Sequence, residues 1–395
     1  MKRLWIITEL FYPDETATAY ILTKVANHLA ATHDVNVICG PTSYDGGNRQ
    51  NSVGKLDERV KVLRVSNTKL SKNGLFTRVL RFISLTSKLT RTLKENLRED
   101  DEILVVTNPA PILLSAAAIR KRRGNKLHLL VHDVFPENTI PAGIIKSQGS
   151  LFYQVLKSMF DKAYAAADTL IVLGRDMHEV VSKKVSSKEN HCNVTIIENW
   201  ADIESIKMQP RSADGKIELQ YAGNIGRVQG LLGFLQSVRE ASNEVLHVSF
   251  YGDGVVKEIL LNYVAENRMD NVSFHGSYKR EEQNMILNSC DIAIITLAKG
   301  MYGLGVPSKT YNILAAGKPI MFIGDVNSEV ALMIKEHKIG FVFAPDNHLE
   351  IKDFLTKLSM DQKQMLREMG KRARKLAEDV YSEDKILNKY SKLFE

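Results

Sequence analysis

Short runs of Val, Ile and Leu alternate along this chain with stretches of helix length, and the whole alternation occurs twice. Strands are expected at Arg3 to Thr8, Val35 to Cys39, Val60 to Val65, Ile103 to Thr107, Leu127 to Val131, Leu170 to Leu173 and Val194 to Ile197. Helices such as Ala17 to Ala31 and Phe152 to Ala167 fill the intervals. Apolar strands separated by helices imply a parallel sheet covered on both faces. The pattern restarts with strands at Ile217 to Tyr221, Leu246 to Tyr251, Val272 to Phe274, Ile292 to Thr296, Ile320 to Ile323 and Phe341 to Phe343. Helices such as Leu231 to Ala241 and Val255 to Asn267 separate them. The expected fold class is therefore α/β, with two Rossmann-like, doubly wound parallel-sheet domains, each carrying a ligand crevice at the carboxyl ends of its strands. A length of 395 residues suits two cores better than one. The polar stretch from Glu198 to Gly215 places the linker, so the domains are expected over 1–200 and 201–380. A last helix within 381–395 is expected to pack back on the first domain.

Several classes are set aside by the same reading. The opening Met-Lys-Arg-Leu-Trp-Ile-Ile-Thr is shorter than a signal-peptide core and reads as a first strand, so a cytoplasmic location is expected. No run approaches the roughly 18 apolar residues of a membrane span. Cys39, Cys192 and Cys290 are widely spaced, with no His at ligand distance, so reduced thiols and no metal site are expected. The net charge is +7, and its whole excess falls between Lys69 and Arg98: Lys69, Lys72, Arg78, Arg81, Lys88, Arg91, Lys94 and Arg98 against Glu95 alone. With only Phe76 and Phe82 among them, this segment lacks the stacking aromatics of a nucleic-acid binder. On a helical wheel Val79, Phe82, Ile83, Leu89, Leu93 and Leu97 share one side, expected to pack on the sheet. The basic remainder is either a solvated face or a surface for anionic lipid at the inner face of the cytoplasmic membrane.

The segment richest in chemical information is Tyr302-Gly-Leu-Gly-Val-Pro-Ser-Lys-Thr-Tyr-Asn-Ile-Leu-Ala-Ala-Gly-Lys-Pro319, which follows a strand. Gly303 and Gly305 allow close backbone approach, and Pro307 suits the first turn of a helix whose N-terminus favours an anion. Lys309 in that turn opposes the helix dipole, a placement that an anionic ligand would repay.

Together with Tyr221-Ala-Gly-Asn-Ile-Gly-Arg-Val-Gln-Gly-Leu231, Tyr251-Gly-Asp-Gly254 and Val272-Ser-Phe-His-Gly-Ser277, this segment resembles the family 4 retaining glycosyltransferases of the GT-B fold. Within them it is most similar to the bacterial surface-polysaccharide branch (O-antigen, capsule) that includes N-acetyl-fucosamine transferases. The resemblance implies a cleft between the domains, with donor contacts from Gly223, Asn224, Arg227, Gln229, Gly252, Ser277, Tyr278, Gly303, Leu304, Gly305, Val306, Ser308, Lys309 and Asn312. It implies a closing or acceptor loop through Thr16, Ala17 and Thr18. A histidine in the cleft corresponds to His132, the first catalytic candidate, with Asp133 the second; at a strand end His132 could instead cap or pack, and strand alternation sends the two side chains to opposite faces.

The chain departs from the family where Arg and Lys usually meet the diphosphate, with Asn224 and Gln229 there instead. Arg227 and Lys309 are the expected substitutes. The usual pair of glutamates falls on Leu304 and Asn312, of which only Asn312 keeps a polar side chain. The implied reaction moves a sugar from a UDP- or GDP-linked donor to a polyprenyl-diphosphate-linked or oligosaccharide acceptor, with retention. No Asp-x-Asp motif appears, so no metal cofactor is expected. A nucleotide-sugar 2-epimerase and a catalytically silent nucleotide- or lipid-binding subunit are the rival readings.

Overall fold

The computed structural model describes residues 1–42, 55–66, 75–186, 192–211 and 215–395, with the side chains of 75–79 left out. Seven parallel strands build the first sheet: β1 (Arg3–Thr8), β2 (Asp34–Cys39), β3 (Lys61–Arg64), β4 (Glu102–Val106), β5 (Leu127–Leu130), β6 (Thr169–Val172) and β7 (Asn193–Ile196). Their spatial order is β3-β2-β1-β4-β5-β6-β7. The second sheet holds β8 (Ile217–Ala222), β9 (Leu246–Tyr251), β10 (Val272–Gly276), β11 (Ile292–Thr296), β12 (Ile320–Ile323) and β13 (Gly340–Phe343) in the order β10-β9-β8-β11-β12-β13. Every residue of β4, β5, β6, β8, β11 and β12 is buried, whereas the edge strands β3, β7, β10 and β13 are mostly half-buried or exposed. Central strands covered on both faces are the reason for the unbroken apolar runs in the sequence.

Helices α1 (Ala17–Leu29), α2 (Leu75–Asn96), α3 (Ile112–Arg123), α4 (Leu151–Ala165) and α5 (Arg175–Val185) belong to the first domain. The second carries α6 (Leu231–Ala241), α7 (Lys257–Glu266), α8 (Gln283–Asn288), α9 (Lys309–Ala315), α10 (Glu329–His337), α11 (His348–Lys357) and α12 (Lys363–Asp379). In each sheet the order reverses once, between β1 and β4 and between β8 and β11, and at such a switch point the connections diverge to opposite faces and leave a crevice. One apolar cluster runs from the first domain through Leu304, Val306 and Tyr311 into the second, so the two halves share a core where they meet.

The helix α2 corrects one expectation. Leu85, Leu89, Leu93 and Leu97 are buried at i, i+4 spacing, but Phe82 is 38% and Ile83 55% exposed. Phe82 lies seven residues before Leu89 and so shares its helical side; the first turns of α2 therefore run past the body on which the later turns pack. Lys69 and Lys72 lie outside the described residues, as do the side chains of Phe76, Arg78 and Val79.

The last helix, α13 (Glu383–Phe394), crosses back to lie on α1. Phe394 is 1% exposed, with its ring 4.8 Å from that of His128 and its carbonyl 3.2 Å from His33 Nε2. Lys24 pairs with Glu383 at 2.9 Å and His28 Nε2 lies 2.8 Å from Ser391 Oγ. Phe394→Ala should lower stability by about 3 to 5 kcal/mol, the cost of emptying a buried aromatic site. Urea unfolding checks this, and a change below about 0.5 kcal/mol would show that α13 is not a structural clasp.

Candidate active site

The crevices of the two sheets face each other across a cavity of about 600 Å³. Its second-domain wall begins where β8 ends. The chain turns there through Gly223 (φ +145°), where an added Cβ would stand 2.9 Å from Lys309 Nζ, so only glycine leaves room for the amine. Gly252 supports that turn without lining the cavity: a Cβ on it would lie 1.9 Å from Gly223 O.

Lys309 is the first residue of α9, after Ser308. Its Nζ sits 3.6 Å from the centroid of the Tyr221 ring, shut from solvent and with no hydrogen-bond partner among the described residues. Burial lowers its pKa to about 7, and the electron-rich ring face offsets only part of the lost hydration. Beside it, Asn224 and Gln229 converge over Gly226, where a Cβ would stand 2.8 Å from Asn224 Nδ2 and 2.6 Å from Gln229 Oε1. These two amides stand at the positions where the resemblance places an Arg and a Lys on the diphosphate.

The opposite wall comes from the loop after β5. Both His132 N–H and Asp133 N–H donate to Thr107 Oγ1, at 3.1 and 3.3 Å, which fixes this turn against the end of β4. His132 Nε2 is buried without a partner, and burial lowers the ring's pKa to about 4, so the imidazole is neutral at neutral pH. Asp133 opens to the cleft, and the surrounding walls displace enough water to raise its carboxyl pKa above the usual range. Gly305 bridges the walls: a Cβ there would lie 3.2 Å from His132 O and 3.3 Å from an Asp133 carboxylate oxygen.

At the far end Tyr278, Arg280, Gln283 and Asn312 meet Tyr20, Asn199 and Trp200. Asn312 Oδ1 accepts the Asp202 N–H at 3.2 Å, which leaves its NH2 facing Gln283 Oε1 at 3.4 Å. Arg280 stacks 3.5 Å from the Tyr20 ring and donates to Asp202 at 3.0 Å, spanning both domains.

Of the residues named from sequence, His132, Asp133, Ala17, Gly223, Asn224, Gln229, Tyr278, Gly305, Val306, Ser308, Lys309 and Asn312 line this one cavity. Arg227 does not: it is exposed on a short 3-10 turn, and Val228 and Gln229 take the wall positions. Ser277 is exposed outside the cavity, Thr16 caps α1 by accepting the Ala19 N–H, and Thr18 is likewise off the wall. Gly303 and Leu304 lie behind the wall, Leu304 buried with its carbonyl accepting Val134 N–H at 3.0 Å. Sequence reasoning missed Tyr20, Asn199, Trp200, Arg280, Gln283 and Thr296, which belong to no motif. Tyr221 had a signal, an aromatic two residues before the glycine at a strand end. Among the described residues, no group of three or more His, Cys, Asp or Glu gathers at metal-binding distance.

Two doubly wound parallel sheets facing across a cleft of this make-up define the GT-B fold. The chain belongs to the family 4 and group 1 glycosyltransferases: residues 19–205 match the model "Glycosyltransferase Family 4" and residues 202–376 match "Glycosyl transferases group 1". It is 30% identical to the probable glycosyltransferase WbjE of Pseudomonas aeruginosa, over 99% of this chain and 97% of that protein. It is 23% identical to the putative colanic acid biosynthesis glycosyl transferase WcaI of Escherichia coli K12, over 56% of this chain and 57% of that one. Among solved structures, Anabaena HepE in complex with UDP and glucose superposes with a TM-score of 0.69 at 15% identity, covering 100% of this chain and 99% of that one.

The buried amine predicts how ligand affinity varies with pH. A diphosphate bound beside Lys309 would raise the amine's pKa, so binding would draw in a proton wherever the free amine is neutral. Affinity for UDP or GDP should be full below about pH 7 and fall by up to about ten-fold per pH unit above it. Lys309→Ala should weaken binding by about ten- to a hundred-fold and flatten this dependence. Calorimetry over pH 6 to 9 checks both; a native protein with pH-independent affinity, or a variant with unchanged affinity, contradicts the assignment.

Proposed function

We propose that this glycosyltransferase takes its sugar from a nucleoside diphosphate donor and passes it to a polyprenyl-diphosphate-linked or oligosaccharide acceptor of a bacterial surface polysaccharide. The observation that carries the reading is a set of four buried polar atoms around one cavity that have no hydrogen-bond partner among the described residues: Lys309 Nζ, Gln229 Oε1, His132 Nε2 and Thr296 Oγ1. Buried polar groups cost free energy unless bonded, so a site keeping this many is built for a polar ligand. The cation Lys309, which has no carboxylate partner among the described residues, the amides of Asn224 and Gln229 and the neutral imidazole of His132 match a diphosphate beside a hydroxyl-rich sugar. The complex of HepE with UDP and glucose supports the donor class, and colanic acid biosynthesis in the name of WcaI supports the setting in surface-polysaccharide assembly.

In this reading the anomeric C–O bond to the diphosphate breaks as the acceptor oxygen attacks the same face, giving retention. The acceptor proton passes to the departing phosphate oxygen, and Lys309 stabilises the charge that develops there. Asn224 and Gln229 hold phosphate or sugar oxygens by neutral hydrogen bonds. His132, uncharged, orients a sugar or acceptor hydroxyl; no step calls for a metal ion. Incubation with UDP- and GDP-sugars and a polyprenyl-diphosphate acceptor, in chelator, should give a product of retained configuration. His132→Ala should lower kcat and kcat/KM together, by about a hundred-fold, with UDP affinity within two-fold of native. Loss of UDP binding in step with turnover, or no product from the native protein, would overturn the reading.

The membrane belongs to the same proposal. Among the described residues no helix is long and apolar enough to cross a bilayer. Arg91, paired with Glu95 at 2.8 Å, and Lys94 near the end of α2 are exposed, as are Arg98 just beyond it and Leu80, Phe82 and Ile83 nearer its start. On α4, Leu151, Phe152, Val155 and Met159 present a second exposed apolar stripe. Basic groups at an anionic leaflet contribute about 1 kcal/mol each, screened by salt, so this face suits peripheral docking at the cytoplasmic surface, where a lipid-linked acceptor is reached. Arg81 and Lys88 are poor probes, since Arg81 Nε is buried and Lys88 holds Ser66 O at 2.8 Å. Binding to anionic vesicles should therefore be lost in the Arg91, Lys94 and Arg98 triple Gln variant and in high salt. Equal binding by variant and native protein would return α2 to a solvated face.

A further inference from the structure

The loop 301–306 enters the cavity from the second domain, yet much of what holds it comes from the first. Gly303 N–H donates to Asp176 Oδ2 at 3.3 Å, and Tyr302 OH donates to Glu179 Oε2 at 2.7 Å. Both acceptors lie in the first two turns of α5, on the far side of the cleft from the strand that feeds the loop. Asp176 is 3% exposed, and its other oxygen accepts Met177 N–H at 2.8 Å. An ionisable group buried this deeply is costly, and here one of its two oxygens serves the neighbouring domain's backbone and not its own helix.

The same turn grips the second domain again at α10. Arg175 donates from Nε and Nη2 to the two oxygens of Glu329, both at 3.0 Å, and from Nη1 to Glu336 at 2.7 Å. Its backbone N–H adds a bond to Glu329 at 2.7 Å, and Glu329 is 5% exposed. Two glycines make this approach possible. A Cβ on Gly174 would lie 2.7 Å from Glu329 Cβ, and one on Gly303 (φ +65°) would lie 2.4 Å from Val180 Cγ2 and 2.6 Å from Asp176 O. No other residue type fits either position at this separation of the domains.

We propose that the start of α5, residues 174–180, is a strap that holds the loop 301–306 against the acceptor domain, with Asp176 and Glu179 as positioning residues for sugar transfer. This rests on the proposed sugar transfer, with Gly305 and Val306 of that loop as donor contacts. The loop itself meets the segment carrying His132, where Val134 N–H bonds Leu304 O and Gly305 abuts Asp133, and the strap holds it in that position. Lys309 and the turn at Gly223 are held within the second domain, so the diphosphate site survives without the strap. What is lost is the register between the donor sugar and the groups facing it from the first domain.

The test compares native protein with Tyr302→Phe, Glu179→Ala, their double variant and Asp176→Ala. Tyr302 and Glu179 meet at the surface, so their variants fold even if Asp176→Ala does not. Hydrogen–deuterium exchange at residues 301–306 should rise in every variant, whatever reaction the protein catalyses. In the transfer assay, kcat should fall about three-fold for Tyr302→Phe and for Glu179→Ala, about ten-fold for Asp176→Ala, with UDP affinity within two-fold of native. The double variant should be no worse than Glu179→Ala, since the bond from Tyr302 is common to both changes and Glu179→Ala alone also removes the surface pair with Lys183. Unchanged exchange overturns the strap even in a protein that transfers no sugar. Raised exchange with unchanged kcat, or kcat losses matched by lost UDP affinity, overturns the positioning role while leaving the donor assignment standing.

Discussion

A doubly wound parallel sheet has one place where its connections diverge, and in this protein two such places are set face to face. Everything functional follows from that opposition. The ends of β8 and β11 supply the Gly223 turn, Thr296 and the segment leading to Lys309, while the end of β5 supplies His132 and Asp133. The domains are locked by a shared apolar core, by α13 returning to α1, and by Arg280 stacked on Tyr20 and Arg175 paired with Glu329 across the boundary.

Within that frame the electrostatics are sparse. A dianionic diphosphate would be met by one amine, kept free of carboxylate partners above the Tyr221 ring, and by the neutral amides of Asn224 and Gln229. A cation that is half deprotonated near neutrality gains most from an anion, since binding restores the charge that burial suppresses. An anion bound beside Lys309 would offset the cost of burying an amine that has no hydrogen-bond partner among the described residues. His132 follows the same logic with the opposite result: burial keeps it neutral, and it contributes hydrogen bonding without charge.

The strands were legible because parallel sheets need apolar residues on both faces, and β1, β9, β11 and β12 fall where the Val, Ile and Leu runs place them. The turn at Gly223 and the segment from Gly305 to Asn312 were legible because close backbone approach demands glycine and because their order is that of the family. Arg227 misled, since a charge near a motif says nothing of which side of a one-turn helix it occupies. Phe82 and Ile83 misled because helical periodicity identifies a face without saying how far the body beneath it extends. Tyr20, Arg280, Asp176 and Glu179 left no trace, for their roles depend on distances across the domain boundary. Arg280 and Tyr20 are about 260 positions apart in the chain, and stacking between them is a tertiary fact.

The central claim is that one buried, unpartnered amine meets the donor diphosphate. It is tested most directly by counting protons: the enthalpy of UDP binding at pH 8, measured in buffers of different ionisation enthalpy. The account predicts uptake of close to one proton per UDP bound by the native protein and none by Lys309→Ala. Binding of UDP with no proton uptake by the native protein would contradict it.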